Sequence, residues 1–186
     1  MAPRLDRWIL LAATLILLAE SSAAQTTRYV SKTGSHTSPY NTWARAATNV
    51  HAAVSGAAAG TTILVSNGVY ALTGSVTLAT TISLRSVNGP EVTELRGNDS
   101  FRLLSLSGGA GVSGLTLTDG AAAGSGSGGY GGGIYANNAR ISNCVIRSCS
   151  AASYGGGVYF FSNGGLLTHS ILDDNSSTYG GGVHCR

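Results

Sequence analysis

The chain has 186 residues, a formal net charge of +3 and only 10% charged residues, against roughly 25% in an average soluble protein. Lys32 is its only lysine, which argues against a polybasic nucleic-acid or membrane surface, and 43% hydrophobic residues exclude a disordered charged tail. The 27 glycines, about twice the usual ~7% share, together with a normal apolar share point to repetitive β structure in one domain.

Residues 1–24 read as a secretory signal peptide. Arg4 and Arg7 precede an apolar run at 9–19, and Ser22 and Ala24 stand at the −3 and −1 positions of a cut before Gln25. The run is shorter than the ~20 residues that span a bilayer, so no membrane span is expected. The mature chain would keep the +3 charge, because the excised part holds two basic and two acidic residues. Secretion or the cell surface is the expected location.

An N-terminal segment, 25–60, follows. Within 42–59, Trp43, Ala47, Val50 and Val54 fall at helical spacing. Thr42 is placed to cap the start and Gly60 to end the helix. A solenoid must cover its first coil, so this helix is expected as the lid, with its Trp43 face on the stack. Beyond it, Thr61-Ile63-Val65, Val76-Leu78, Ile82-Leu84, Leu104-Leu106 and Val112 are short strand candidates divided by Gly, Asn and Ser.

The repeat becomes explicit further on. Gly131-Gly132-Gly133-Ile134-Tyr135 recurs as Gly155-Gly156-Gly157-Val158-Tyr159 and as Gly180-Gly181-Gly182-Val183-His184, at intervals of 24 and 25 residues. Tyr130, Tyr154 and Tyr179 precede the three triplets. Arg140-Ile141-Ser142-Asn143-Cys144-Val145-Ile146 matches Leu166-Leu167-Thr168-His169-Ser170-Ile171-Leu172, and an earlier copy starts at Val112. Alternation of period two means strands, and Gly triplets oppose a helix by about 1 kcal/mol per glycine. A unit of two or three short strands and turns makes one coil of a parallel β-helix, with each strand pairing its copy ~4.8 Å away. The expected architecture is all-β: a right-handed parallel β-helix over 61–186 with an N-terminal capping helix. Its inward columns are Leu115–Cys144–Ser170 and Leu117–Ile146–Leu172.

Several stretches resemble a known family. Tyr29-Val30-Ser31, Pro39-Tyr40-Asn41-Thr42-Trp43-Ala44 and Ile63-Leu64-Val65-Ser66-Asn67-Gly68-Val69-Tyr70 are similar to the amino-terminal part of secreted bacterial right-handed parallel β-helix repeat proteins of the pectate-lyase-like superfamily. The same holds for Ser86-Val87-Asn88-Gly89-Pro90-Glu91-Val92-Thr93, for Ser113-Gly114-Leu115-Thr116-Leu117-Thr118-Asp119-Gly120, and for the run 170–177 before the last Gly triplet. The resemblance implies the fold across the mature chain. For activity it implies only a range, from polysaccharide lyases and hydrolases to adhesins. It also implies more coils than are present, so the chain reads as a fragment or as a unit that continues its stack through another chain. Ending on Val183-His184-Cys185-Arg186 with no polar cap, it is expected to expose strand edges and self-associate end to end.

Chemistry is sparse. Cys144, Cys149 and Cys185 are odd in number and confined to the last quarter. They lack metal spacing and read as small core hydrophobes. The resemblance implies, for a lyase, a calcium ion on several carboxylates plus a base, but beyond the leader only Glu91, Glu94, Asp99, Asp119, Asp173 and Asp174 are available. Repeat alignment puts Asp119, Ser148 and Asp174 in one column and Asp173 one coil from Arg147, as a surface ion pair. Asp173-Asp174 would point to opposite faces on a strand, and Asn175 would hydrogen-bond along a turn. His36, His51, His169 and His184 are scattered, and the glycines at 124–133 form no phosphate loop. No catalytic, cofactor or metal residues are therefore assigned. The expected function is a secreted or cell-surface β-helix of structural or adhesion type. The alternative is a carbohydrate-binding or polysaccharide-degrading β-helix, whose partner would be a polysaccharide or cell-surface glycan held on the row Tyr130–Tyr154–Tyr179.

Overall fold

The computed structural model describes residues 26–186; the expected signal peptide lies outside the described residues. Every strand pairing in it is parallel. The strands stack into four sheets of six, five, five and three strands that run along one axis, which is the β-helix the repeat predicts. The first sheet is Thr27–Val30, Thr62–Val65, Ser83–Ser86, Gly111–Ser113, Ala139–Ser142 and Gly165–Thr168. The second is Gly68–Ala71, Thr93–Arg96, Thr116–Thr118, Val145–Arg147 and Ile171–Asp173. The third is Val76–Leu78, Leu104–Ser107, Ile134–Asn137, Val158–Phe160 and Val183–Cys185. A short fourth sheet, Ala121–Ala122, Ser150–Tyr154 and Ser176–Tyr179, sits between the second and third. The first sheet thus begins upstream of residue 61.

Parallel strands demand a covered face, and here the inner faces of the sheets cover one another. Ile63, Leu84, Val112, Ile141 and Leu167 form one inward column. Tyr70, Leu95, Leu117, Ile146 and Leu172 form another. All are buried except Leu167 and Leu172 in the last coil, which are half-buried. Burying one such side chain contributes about 1.5–3 kcal/mol, so the core is strongest in the middle coils. Leu115 and Cys144 are buried as expected, and Ser170 follows them half-buried, where its hydroxyl accepts from the Cys144 amide at 3.1 Å.

Each late coil turns its corners on residues with positive φ. Gly114, Asn143 and His169 hold one corner (66°, 50° and 49°), and Asp119, Ser148 and Asp174 the next (60°, 50° and 49°). Asn and Asp tolerate this region better than most residues. The entry to the third sheet uses the glycine triplets. Gly131, Gly155 and Gly180 sit at φ 62°, 61° and 66°, and a Cβ at Gly132 or Gly156 would collide with the carbonyl oxygen of Ser150 or Ser176 in the adjacent coil. Only glycine fits there.

The cap is present but shorter than predicted. The helix is Val50–Val54, capped by the Asn49 side chain accepting from the Ala52 amide at 2.8 Å, whereas 42–45 are bends and a turn and Ala47 bridges to Val30 as extended chain. It packs on the first strands of the first and third sheets through buried Val50 and Ala53. Its C-terminal carbonyls, left without helical partners, are collected by the Arg28 guanidinium, which donates to Ala53, Ser55 and Gly56. Trp43 corrects the expectation. It is 42% exposed and meets the Tyr29 ring edge, at 4.5 Å between centroids. The chain is not helical there, so the spacing that would aim its ring at the core does not apply.

Candidate functional site

An aromatic strip runs along the outside of the third sheet and the strand ends of the fourth that lead into it. The predicted row forms. Tyr130 and Tyr154 are 5.0 Å apart between ring centroids and edge-on, while Tyr154 and Tyr179 are 5.1 Å apart and stacked. A second column runs beside it, from the outward residue after each triplet: Tyr135 to Tyr159 at 5.5 Å and Tyr159 to His184 at 5.7 Å, both stacked. Phe161 adds to it, 6.0 Å from Tyr135. The columns interlock, with Tyr130 4.7 Å from Tyr159 and Tyr154 4.6 Å from His184. Offset and edge-on pairs of this kind contribute about 0.5–1.5 kcal/mol each beyond area burial. The second column was legible in the fifth residue of each repeat, Tyr135, Tyr159 and His184. What the sequence hid is that Tyr159 becomes fully buried under its neighbours, its hydroxyl without a hydrogen-bond partner. The parts of the strip that face solvent are Tyr179, 56% exposed, and half-buried Tyr130, Tyr135 and Tyr154.

Arg102 anchors the strip at its upstream end. Its Nε donates to the carbonyls of Tyr130 and Gly131, both at 3.0 Å, and its Nη2 to Ser127 at 2.6 Å. The guanidinium lies 4.9 Å from the Tyr135 ring centroid, a cation–π contact. Burial pulls Arg102 below its ordinary value and pushes the Tyr135 phenol up. Beside this pair opens a cavity of about 280 Å³ lined by Thr77, Ser105, Ser107, Ser127, Tyr135 and Asn137 among others. The Asn137 Oδ1 is buried with no hydrogen-bond partner.

The carboxylates occupy a different face, the outside of the second sheet. The column Asp119, Ser148, Asp174 forms, with Ser148 donating to Asp174 at 3.4 Å, and its members are the positive-φ corner residues. Arg147 and Asp173 are register partners as aligned, yet the ion pair expected between them is not the one made. Arg147 reaches back to Glu94 at 3.6 Å. Arg96 Nε binds Glu94 at 2.6 Å and approaches Asp119 at 3.8 Å. The reason is desolvation: the Glu94 side chain is only 14% exposed, so it attracts a cation more strongly than solvated Asp173 does. Asn175 does more than expected, since its Oδ1 accepts from the Cys149 amide at 3.0 Å and its Nδ2 donates to the Ile146 carbonyl at 2.8 Å, stapling two coils.

Cys144 and Cys149 fill the core as read. Burial pushes their thiols up to about 11 and about 12, making them poor nucleophiles; Cys185 is exposed. The histidines do not converge. His36 Nδ1 bonds Thr48, His51 lies on the helix, His169 is a corner and His184 ends the aromatic column.

The fold defines the class: a parallel β-solenoid with an aromatic strip along one outer face. Compared with protein-family models, with curated protein sequences and with solved structures, the chain gives no match. No helix among the described residues is long and apolar enough to cross a membrane.

Proposed function

We propose that the chain is a secreted or cell-surface β-solenoid of structural, adhesion type, and that the aromatic strip is the surface it presents. The observation that carries this is the double column from Tyr130 to His184, which repeats along the stack axis and leaves Tyr179 open to solvent. A rigid solenoid offers such a strip as one long contact surface. Secretion rests on the leader-like pattern of residues 1–24. The best-engaged carboxylate, Glu94, is held between two arginines, an arrangement suited to holding the face together rather than to taking a proton.

Carbohydrate binding is the second reading. What favours it is the cavity beside Tyr135, where a ring, the Arg102 guanidinium and serine and threonine side chains meet. Sugars present an apolar face and a rim of hydroxyls, and such sites pair an aromatic plane with a few placed polar groups. The test uses the full chain immobilised on beads and offered to insoluble polysaccharides and to cells before and after enzymatic deglycosylation. Tyr135→Ala and Tyr179→Ala together should weaken attachment about tenfold, or about 0.7 kcal/mol for each of the two lost ring contacts, with unchanged circular dichroism. Attachment that survives deglycosylation supports adhesion without sugar. Attachment unaffected by both substitutions overturns the strip as the contact surface.

A further inference from the structure

A larger cavity lies at the other end of the molecule, away from the strip. It measures about 500 Å³ and is lined by Ser31, Lys32, Thr33, Trp43, Ser66, Asn67, Val87 and Asn88. That volume falls in the range of small-molecule clefts. Three features give it a recognition chemistry. The first is Lys32, the only lysine of the chain, whose Nζ is set 4.6 Å from the Tyr70 ring centroid. None of the ion pairs found among the described residues involves it. The second is apolar surface open to solvent at the cavity wall: Trp43 is 42% and Val87 48% exposed. The third is a polar rim. Asn88 Nδ2 donates to Asn67 Oδ1 at 2.8 Å, which leaves the Asn88 oxygen and the Asn67 amide hydrogens to offer. Ser31 and Thr33 hold each other at 3.1 Å.

The components are held in place. A Cβ at Gly68 would meet Lys32 Cγ at 3.4 Å, so the stem runs past a glycine, and Lys32 as a residue is exposed. Tyr70 beneath it is buried and fixed by Ser66, whose hydroxyl and carbonyl lie 3.0 and 3.1 Å from the phenol oxygen. Trp43 rests edge-on against Tyr29. One cation beside an indole and two amides matches one anion on a ring: the carboxylate goes to Lys32, the ring face to Trp43 and Val87, and ring substituents to Asn67 and Asn88.

We propose that this cavity is a binding site for a small ring carboxylate, a six-membered ring bearing a single carboxyl group. It is separate from the aromatic strip, so either reading can fail without the other. Trp43 is its own reporter, because the only other tryptophan is Trp8 in the leader. The experiment titrates the full chain carrying Trp8→Phe with glucuronate, with phenylacetate and with neutral methyl glucoside, following Trp43 fluorescence. At least one of the two carboxylates is expected to give a saturable change at a concentration tenfold or more below any response to methyl glucoside. Added salt should weaken it. Lys32→Gln should weaken it about tenfold, and Lys32→Arg should restore most of it, with thermal unfolding unchanged in both variants. Glucuronate binding more tightly identifies a sugar acid as the source; phenylacetate binding more tightly identifies an aromatic acid. Saturation by neither carboxylate, or binding that Lys32→Gln leaves intact, overturns the proposal.

Discussion

Replacing Ile146 by alanine tests the coil packing quantitatively. Ile146 is fully buried between its register partners Leu117 and Leu172, and a Cβ at Gly133 would come within 2.9 Å of its Cγ2. Removing three carbons loses about 2.4 kcal/mol of transfer free energy. The coils above and below are tied by backbone ladders and cannot collapse into the space, so the cavity raises the loss toward about 4 kcal/mol. The same truncation at half-buried Leu172 should cost about half as much, and at Ile171, 62% exposed on the outer face, no more than about 0.5 kcal/mol. Urea unfolding of the full chain, with midpoints compared at constant m, gives the three values. The order Ile146 > Leu172 > Ile171 is required. If Ile171→Ala costs as much as Ile146→Ala, the strand is displaced by one residue and every inward assignment reverses.

Two further outcomes follow from the site. Cys144 and Cys149 have thiols raised to about 11 and about 12 when folded, from an ordinary 9.0. Their contribution is intact below pH 9 and is lost as pH rises through the folded values, with a slope of up to about 1.4 kcal/mol per pH unit for each thiol. Alkaline melts of wild type against Cys149→Ala should diverge above pH 9, and coincident curves would contradict the burial. Polygalacturonate incubated with the chain and calcium should release no chelator-sensitive unsaturated product, since Asp119 and Asp174 serve as corners and Glu94 is held by arginines; such a product would contradict this assignment.

Much of the fold was legible because the repeat carries it. The Gly-Gly-Gly-Ile-Tyr units give the third sheet, and the alignment of Ile146 with Leu172 gives the register of the second. The early coils hid more: Gly68–Ala71 and Thr93–Arg96 pair as strands, yet their sequences share no repeat beyond alternation. The helix within 42–59 is shorter than its spacing implies because Trp43 and Ala47 match the helical period of Val50 and Val54 by coincidence. Tertiary contacts override such a pattern, here with Ala47 bridging to Val30 as extended chain. At the site, the Tyr row was readable, while the burial of Tyr159 depends on rings in its own and the adjacent coils, and the choice of Glu94 by Arg147 on a side chain two coils away. Nothing local in the sequence encodes desolvation at that distance.

The aromatic strip, the corner column and the buried thiols all depend on successive copies stacking in one register. The most direct test places cysteines at Arg140 and Leu166, register partners on adjacent coils that both face outward, in a chain whose exposed Cys185 is replaced by serine. Parallel neighbours ~4.8 Å apart fall within the 4.4–6.8 Å Cα separation of a disulfide. Mild oxidation followed by peptide mapping should show the 140–166 bridge in high yield, and little bridging in a control pairing 140 with half-buried 167. Preferential 140–167 bridging, or none in either chain, would contradict the stacked register.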